Sequence, residues 1–189
     1  MSNSNFTIFS QNCIGSIMYH DLGLKFLSPT INMRFDPNQF VIFLENIDEY
    51  LQKDLIFNDN NQLTYPIGEL LGKNGSIKIE FVHYNSQKEA KEKWEERKSR
   101  INWNKIFVIC TDENMDLEMI HRFDKLSEFP NKILFTNKLL PEIPSTIHVL
   151  HNIKENGADL LNFSNPLGKR KYQNYINYVN FLNQKEFIK

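Results

Sequence analysis

Ile106-Phe107-Val108-Ile109-Cys110 is apolar at every position and ends in Thr111-Asp112. Side chains of a strand alternate between two faces, so a run apolar throughout needs cover on both, as in a central parallel strand. Phe6-Thr7-Ile8-Phe9-Ser10, Lys132-Ile133-Leu134-Phe135-Thr136 and Thr146-Ile147-His148-Val149-Leu150 are further strand candidates. Ile77-Lys78-Ile79-Glu80-Phe81-Val82-His83 is another.

Helical spacing separates these runs. Ile14, Ile17, Met18 and Leu22 fall on one face of a short helix that Gly23 stops. Asp36-Pro37 opens a second helix as N-cap and first-turn proline, and Phe40, Phe43, Leu44, Ile47 and Leu51 carry its stripe to about Leu51. Residues 53–76 hold turn formers and two short strands or loops. Ser86 and Glu89 form a capping box for a charged helix over 87–100, with Ala90 and Trp94 on its buried side. Leu117, Ile120, Phe123 and Leu126 stripe another helix; Tyr172, Tyr175, Ile176, Val179 and Leu182 stripe a last one. Strands alternating with helices predict an α/β fold: a single three-layer domain over residues 1–189, with a mostly parallel sheet flanked by helices.

Composition narrows the function classes. With 41% hydrophobic residues and 24% charged ones, the chain has enough apolar surface for a core, which excludes wholesale disorder. No run approaches the length of a membrane span, so no integral membrane segment is expected. The start, Met1-Ser2-Asn3-Ser4-Asn5, lacks the basic and apolar regions of a secretory signal. Two cysteines, Cys13 and Cys110, fit a reduced, cytoplasmic setting without a disulfide. A formal net charge of -1 removes the general argument for nucleic acid as a partner.

Ligands of open parallel sheets bind at the carboxyl ends of the strands. Asn12-Cys13, His83-Tyr84, Thr111-Asp112 and Thr136-Asn137 follow predicted strands there. Cysteine, histidine and aspartate at three such ends have the composition of a nucleophile, base and orienter. Cys13 lies at a predicted strand-to-helix turn, where free amides and the helix dipole would stabilise a thiolate or an anion, with Gly15 and Ser16 leaving room. The plainer reading of Cys13 is a small hydrophobe filling that turn. His83 is either a base or a structural histidine bonded to a loop. Cys110 reads as core, and His20 beside Asp21 as a helix C-terminal cation. Arg97 and Arg100, beside Asn102 and Trp103, could grip a phosphate or sugar, against a plainer reading as part of a solvated charged face. Lys169-Arg170-Lys171 reads as exposed helix-start residues. His121, His148 and His151 lack metal-ligand spacing, so no structural zinc is expected. No Walker loop, dinucleotide fingerprint or Gly-x-Ser-x-Gly elbow occurs.

Two blocks carry a family resemblance. One runs Phe9-Ser10-Gln11-Asn12-Cys13-Ile14-Gly15-Ser16-Ile17-Met18-Tyr19 through Leu22-Gly23-Leu24 to Ser28-Pro29-Thr30. The other is His83-Tyr84-Asn85-Ser86 with Glu89-Ala90, Trp94, Arg97 and Arg100-Ile101-Asn102. Their order and spacing resemble a bacterial domain family of unknown function, often labelled as exopolysaccharide biosynthesis proteins, over about residues 5–183. The chain departs at Ile14, where an aromatic residue is expected, and at Ser16, where glycine is. The resemblance implies surface-polysaccharide assembly; the Asn12-Cys13 turn also resembles the opening of capsule-modifying proteins that bind coenzyme A. The expectation is a transferase acting on an exo- or capsular polysaccharide precursor with an activated sugar or acyl donor. Cys13 would be nucleophile or anion-site residue, His83 base, Asp112 orienter, and Arg97 or Arg100 the donor's phosphate contact, with Asn12, Gly15 and Ser16 also at the ligand. The pattern specifies no cofactor. Two rivals stand beside it: a glycosyl transferase, against which the absence of an Asp-x-Asp motif counts, and a non-catalytic binder of a nucleotide-sugar or assembly partner.

Overall fold

The computed structural model describes residues 4–57, 63–150, 158–166 and 168–189. In chain order, β1 (Thr7–Ser10) leads into α1 (Ile14–Asp21), then β2 (Arg34–Phe35), α2 (Pro37–Glu45) and α3 (Ile47–Leu51). β3 (Ile56–Phe57), β4 (Ile67–Gly72) and β5 (Gly75–Glu80) precede α4 (Gln87–Lys98). β6 (Ile106–Thr111), α5 (Leu117–Asp124), β7 (Lys132–Thr136) and β8 (Thr146–His148) follow, then α6 (Ala158–Leu161), a 3-10 turn (Lys171–Asn174) and α7 (Tyr178–Leu182).

The strands form two sheets. One is parallel, in the order β1-β6-β7-β8, with Phe9 opposite Val108 and Ile109 opposite Ile133. The other is antiparallel, in the order β2-β5-β4-β3. This corrects the expectation of one mostly parallel sheet. The alternation Ile77-Lys78-Ile79-Glu80, buried only at the isoleucines, is the signature of a sheet with one wet face. Lys73-Asn74 closes the β4–β5 hairpin, where Gly75 takes φ +113°, a conformation open to glycine. β6, by contrast, is buried throughout. Its residues alternate between two cores. Val108 and Cys110 pack toward α2, α4, α5 and the antiparallel sheet, while Phe107 and Ile109 pack toward α1 and the carboxyl-terminal elements.

Two predicted helices are broken. The 36–51 helix divides at Asn46, whose side-chain amide donates to the Ile42 carbonyl (3.0 Å) and whose carbonyl oxygen accepts from Asn74 Nδ2 (2.7 Å). The carboxyl-terminal helix is interrupted because the chain folds back: the Asn177 amide donates to Phe187 O (2.7 Å), and Ile176 bridges Ile188. No helix among the described residues is long and apolar enough to cross a membrane.

The two sheets meet at Gln11. Its carbonyl accepts the Phe35 amide (2.9 Å) while its side-chain Nε2 donates to the Phe35 carbonyl (2.6 Å). The end of β1 and the start of the antiparallel sheet are thereby fixed to one another, and the candidate site lies around that junction.

Candidate functional site

The carboxyl edge of the parallel sheet is floored by buried polar groups. Thr111 Oγ1 donates to Gln11 Oε1 (2.8 Å) and accepts from Asn12 Nδ2 (3.4 Å). Asp112, 2% exposed, accepts from Thr136 Oγ1 and from Lys138 Nζ, both at 2.6 Å. Lys138 also donates to the Met115 carbonyl (3.2 Å). A buried carboxylate needs such partners, because without them its desolvation is uncompensated.

The turn after β1 uses its own amides. Asn12 Oδ1 accepts the Ile14 N–H (3.0 Å), and Ser10 Oγ accepts that of Gly15 (3.1 Å). These donors, expected to face a ligand, are satisfied internally. Gly15 serves a close approach of a different kind: a Cβ there would lie 2.7 Å from Ser10 Cβ, so glycine lets α1 sit against β1. Cys13 stands at the N-cap of α1 without a side-chain capping bond and is partly exposed. Burial pushes its thiol above the ordinary value, against the lowering pull of the Ser16 hydroxyl and the Arg34 guanidinium. The thiol is therefore protonated near neutral pH.

Beside it lies a cationic cluster. Arg34 pairs with Glu80 (2.6 Å), which also accepts from the Tyr65 hydroxyl (3.1 Å). Arg97 is 7% exposed, yet no carboxylate pairs with it among the described residues. Its Nη1 donates to the Tyr84 hydroxyl (2.5 Å) and the Ile31 carbonyl (3.0 Å), and the guanidinium lies over the Phe26 ring at 5.3 Å. Tyr84 in turn donates to Ile31 O (3.0 Å). Burial raises its pKa, Arg97 opposes that shift, and Cys13 lies within electrostatic reach of it. Cys13, Ser16, Arg34, Tyr84 and Arg97 thus form one seam where β1 ends against the antiparallel sheet.

The remaining predicted residues fall elsewhere. His83 is exposed, at the third position of the turn that Tyr84 N closes onto Phe81 O (3.0 Å); such a position projects to solvent while Tyr84 turns inward. It follows a strand of the antiparallel sheet, not of the parallel one, and Asp112 is bonded to Thr136 and Lys138 instead of to it. Arg100 is ion-paired with Glu96 and donates to Phe26 O (3.4 Å). Asn102 bonds Thr7 Oγ1 (2.9 Å), at the amino end of β1, and Trp103 is half exposed. Cys110 is fully buried. Both cysteines are free, and no three of histidine, cysteine, aspartate and glutamate gather into a metal-holding group among the described residues. His151 lies outside those residues.

The sequence offers no role for Arg34 or Lys138, and names Tyr84 only beside His83, without a role of its own. Lys138 carried a usable signal, standing two residues beyond the end of β7; Arg34, in a two-residue strand, carried none.

The fold and this seam define an α/β domain with a polar site at the carboxyl edge of its parallel sheet. The chain belongs to the DUF1919 family, a domain of unknown function, whose pattern matches residues 1–183. It is 37% identical over 177 residues to an uncharacterized protein of Haemophilus influenzae, covering 93% of this chain and 83% of that one.

Proposed function

We propose that this protein is a transferase that modifies a surface-polysaccharide precursor, holding a phosphate-bearing activated donor in the seam between Cys13, Arg34 and Arg97. The observation that carries the reading is Arg97, a guanidinium 7% exposed whose recorded partners are a hydroxyl, a carbonyl and ring faces. A buried charge whose hydrogen bonds go to neutral groups is one that an anionic ligand would neutralise. Arg34, a third exposed at its side chain and paired with Glu80, supplies a second cation within electrostatic reach of Cys13. The polysaccharide context rests on the resemblance carried by the blocks around Asn12-Cys13 and His83-Tyr84.

In the acyl form of this reading, the Cys13 sulfur takes the acyl group from a coenzyme A thioester whose phosphates face the arginines, and coenzyme A leaves as the free thiol with the Cys13 proton. The precursor hydroxyl then takes the acyl group and returns its proton to the Cys13 sulfur, while His83, which projects to solvent, stands outside this step. Asp112 holds the sheet edge through Lys138 and need not touch His83. A nucleotide-sugar donor would place its diphosphate on the same arginines. The raised thiol pKa favours a second reading, a non-catalytic binder of such a donor.

Calorimetric titration with acetyl-coenzyme A and with uridine-diphosphate sugars tests the site. One class is expected to bind, with affinity falling at least tenfold in Arg34→Gln; binding by neither class rejects the donor site. Given binding, loss of transfer in Cys13→Ser supports the acyl enzyme, while unchanged donor affinity and no turnover in the wild type support the binder.

A further inference from the structure

Charge is unevenly spread along the chain. The whole carries a formal -1, yet residues 158–189 hold five cations, Lys169, Arg170, Lys171, Lys185 and Lys189, against two carboxylates, Asp159 and Glu186. A basic segment on a chain otherwise slightly acidic suits an anionic partner. Asp159 is taken up by Lys171 (2.6 Å). Among the described residues no ion pair is recorded for Lys169, Arg170 or Lys189.

The fold brings those three cations together. Arg170 bridges Phe163 and sets its guanidinium over that ring at 4.3 Å. Lys189, at the end of the segment that folds back, donates its Nζ to Gln173 O (2.7 Å) and its amide to Tyr175 O (3.0 Å), in and just after the 3-10 turn that starts beside Arg170. Lys169 lies within electrostatic reach of Lys189; burial first, and that like charge second, lower the Lys189 pKa. Two ammonium groups so placed, with no carboxylate recorded on either, are relieved by an anion.

The same turn is flanked by exposed apolar side chains. Phe163 and Ile188 are each 59% exposed, and Leu150, whose amide donates to the Tyr175 hydroxyl (3.2 Å), is 82% exposed. Nucleic-acid phosphates would satisfy the cations and leave the leucine and isoleucine in water. A bilayer satisfies both groups, its headgroup phosphates taking the cations while apolar tips enter the acyl boundary. We propose that this surface docks the protein on an anionic lipid bilayer, with Lys169, Arg170 and Lys189 at the headgroups and Leu150, Phe163 and Ile188 inserted. The docking is peripheral and stands apart from the donor seam.

Co-sedimentation of the full chain with lipid vesicles tests it. Mixed phosphatidylcholine and phosphatidylglycerol vesicles are expected to bind at least tenfold more tightly than phosphatidylcholine alone, with most of the binding lost in high salt. Lys169→Glu combined with Lys189→Glu should reduce that affinity at least tenfold, and Leu150→Ser combined with Ile188→Ser at least threefold. Lys88→Glu combined with Lys91→Glu makes the same charge change at exposed positions of α4 and should leave it within twofold. Phe163→Trp keeps a ring beneath Arg170 and adds a reporter, whose emission is expected to shift to the blue on the anionic vesicles. No preference for those vesicles, an equal loss in the α4 variant or an unshifted reporter overturns the inference. So does tighter binding to duplex DNA or to RNA than to the vesicles, which would make this a nucleic-acid surface. No donor is present in these assays, so their failure is distinguishable from failure of the donor seam.

Discussion

Cys13 sits where a thiol has neighbours of opposite effect. Burial outweighs the Ser16 hydroxyl and the Arg34 charge, so the sulfur stays protonated at pH 7. Alkylation by iodoacetamide is expected to run slower than for a free thiol at pH 7 and to keep accelerating past pH 8.5, the ordinary thiol pKa being about 8.5. A rate already at plateau at neutral pH would overturn that account. The same shift makes a linkage statement: the folded form holds its proton more tightly than the unfolded form, so this contribution to stability is complete below the unfolded pKa and declines as pH rises above it. Arg97 poses the converse problem, a charge retained in the interior. Arg97→Met is expected to cost little stability, less than about 2 kcal/mol, because an apolar side chain of similar length avoids desolvating a cation. Donor binding should be lost in the same variant, and chemical denaturation beside titration reads both. A collapse of the fold would instead make Arg97 a packing residue.

At the level of elements, the strands of the parallel sheet were legible because burial on both faces leaves an uninterrupted apolar run, as in β6. β5 was equally legible as a strand and misassigned as to sheet, although its alternation and the Lys73-Asn74 hairpin were present in the sequence. Its sheet partner decided where His83 would fall, so one wrong pairing displaced a site residue. The break at Asn46 depends on a side-chain bond to Asn74, twenty-eight positions away, and no helical periodicity reports it. The seam is half legible in the sequence: Cys13, Ser16 and Arg97 are candidates there, whereas Tyr84 yields to its neighbour His83 because the inward residue of a turn is fixed by backbone direction. Two element-scale substitutions follow. Gly15→Ala would put a methyl 2.7 Å from Ser10 Cβ and force α1 off β1, at a cost of about 1–3 kcal/mol in urea denaturation despite alanine's better helix propensity. Asp36→Ala removes the acceptor for the Gln39 amide (3.0 Å) and should cost about 1 kcal/mol.

For the whole molecule, Asp112 and Lys138 tie the ends of β6 and β7 at the edge where the site lies. Lys138→Ala leaves Asp112 buried with the Thr136 hydroxyl as its remaining recorded side-chain partner. Because Lys138 is partly exposed, the expected loss is about 1–3 kcal/mol, below the full cost of orphaning a buried charge. Thermal unfolding of this variant should show a lower midpoint with one transition retained; an unchanged midpoint would mean that Thr136 suffices. The reciprocal bonds between Gln11 and Phe35 have a mechanical sequel. Arg34 precedes Phe35 directly, so a ligand that tugs on its guanidinium loads a clasp whose other half is the floor beneath Asn12. Anion capture on one sheet would thus register as tension in the other, and the Phe35 amide, by its rate of deuterium uptake, would be the gauge.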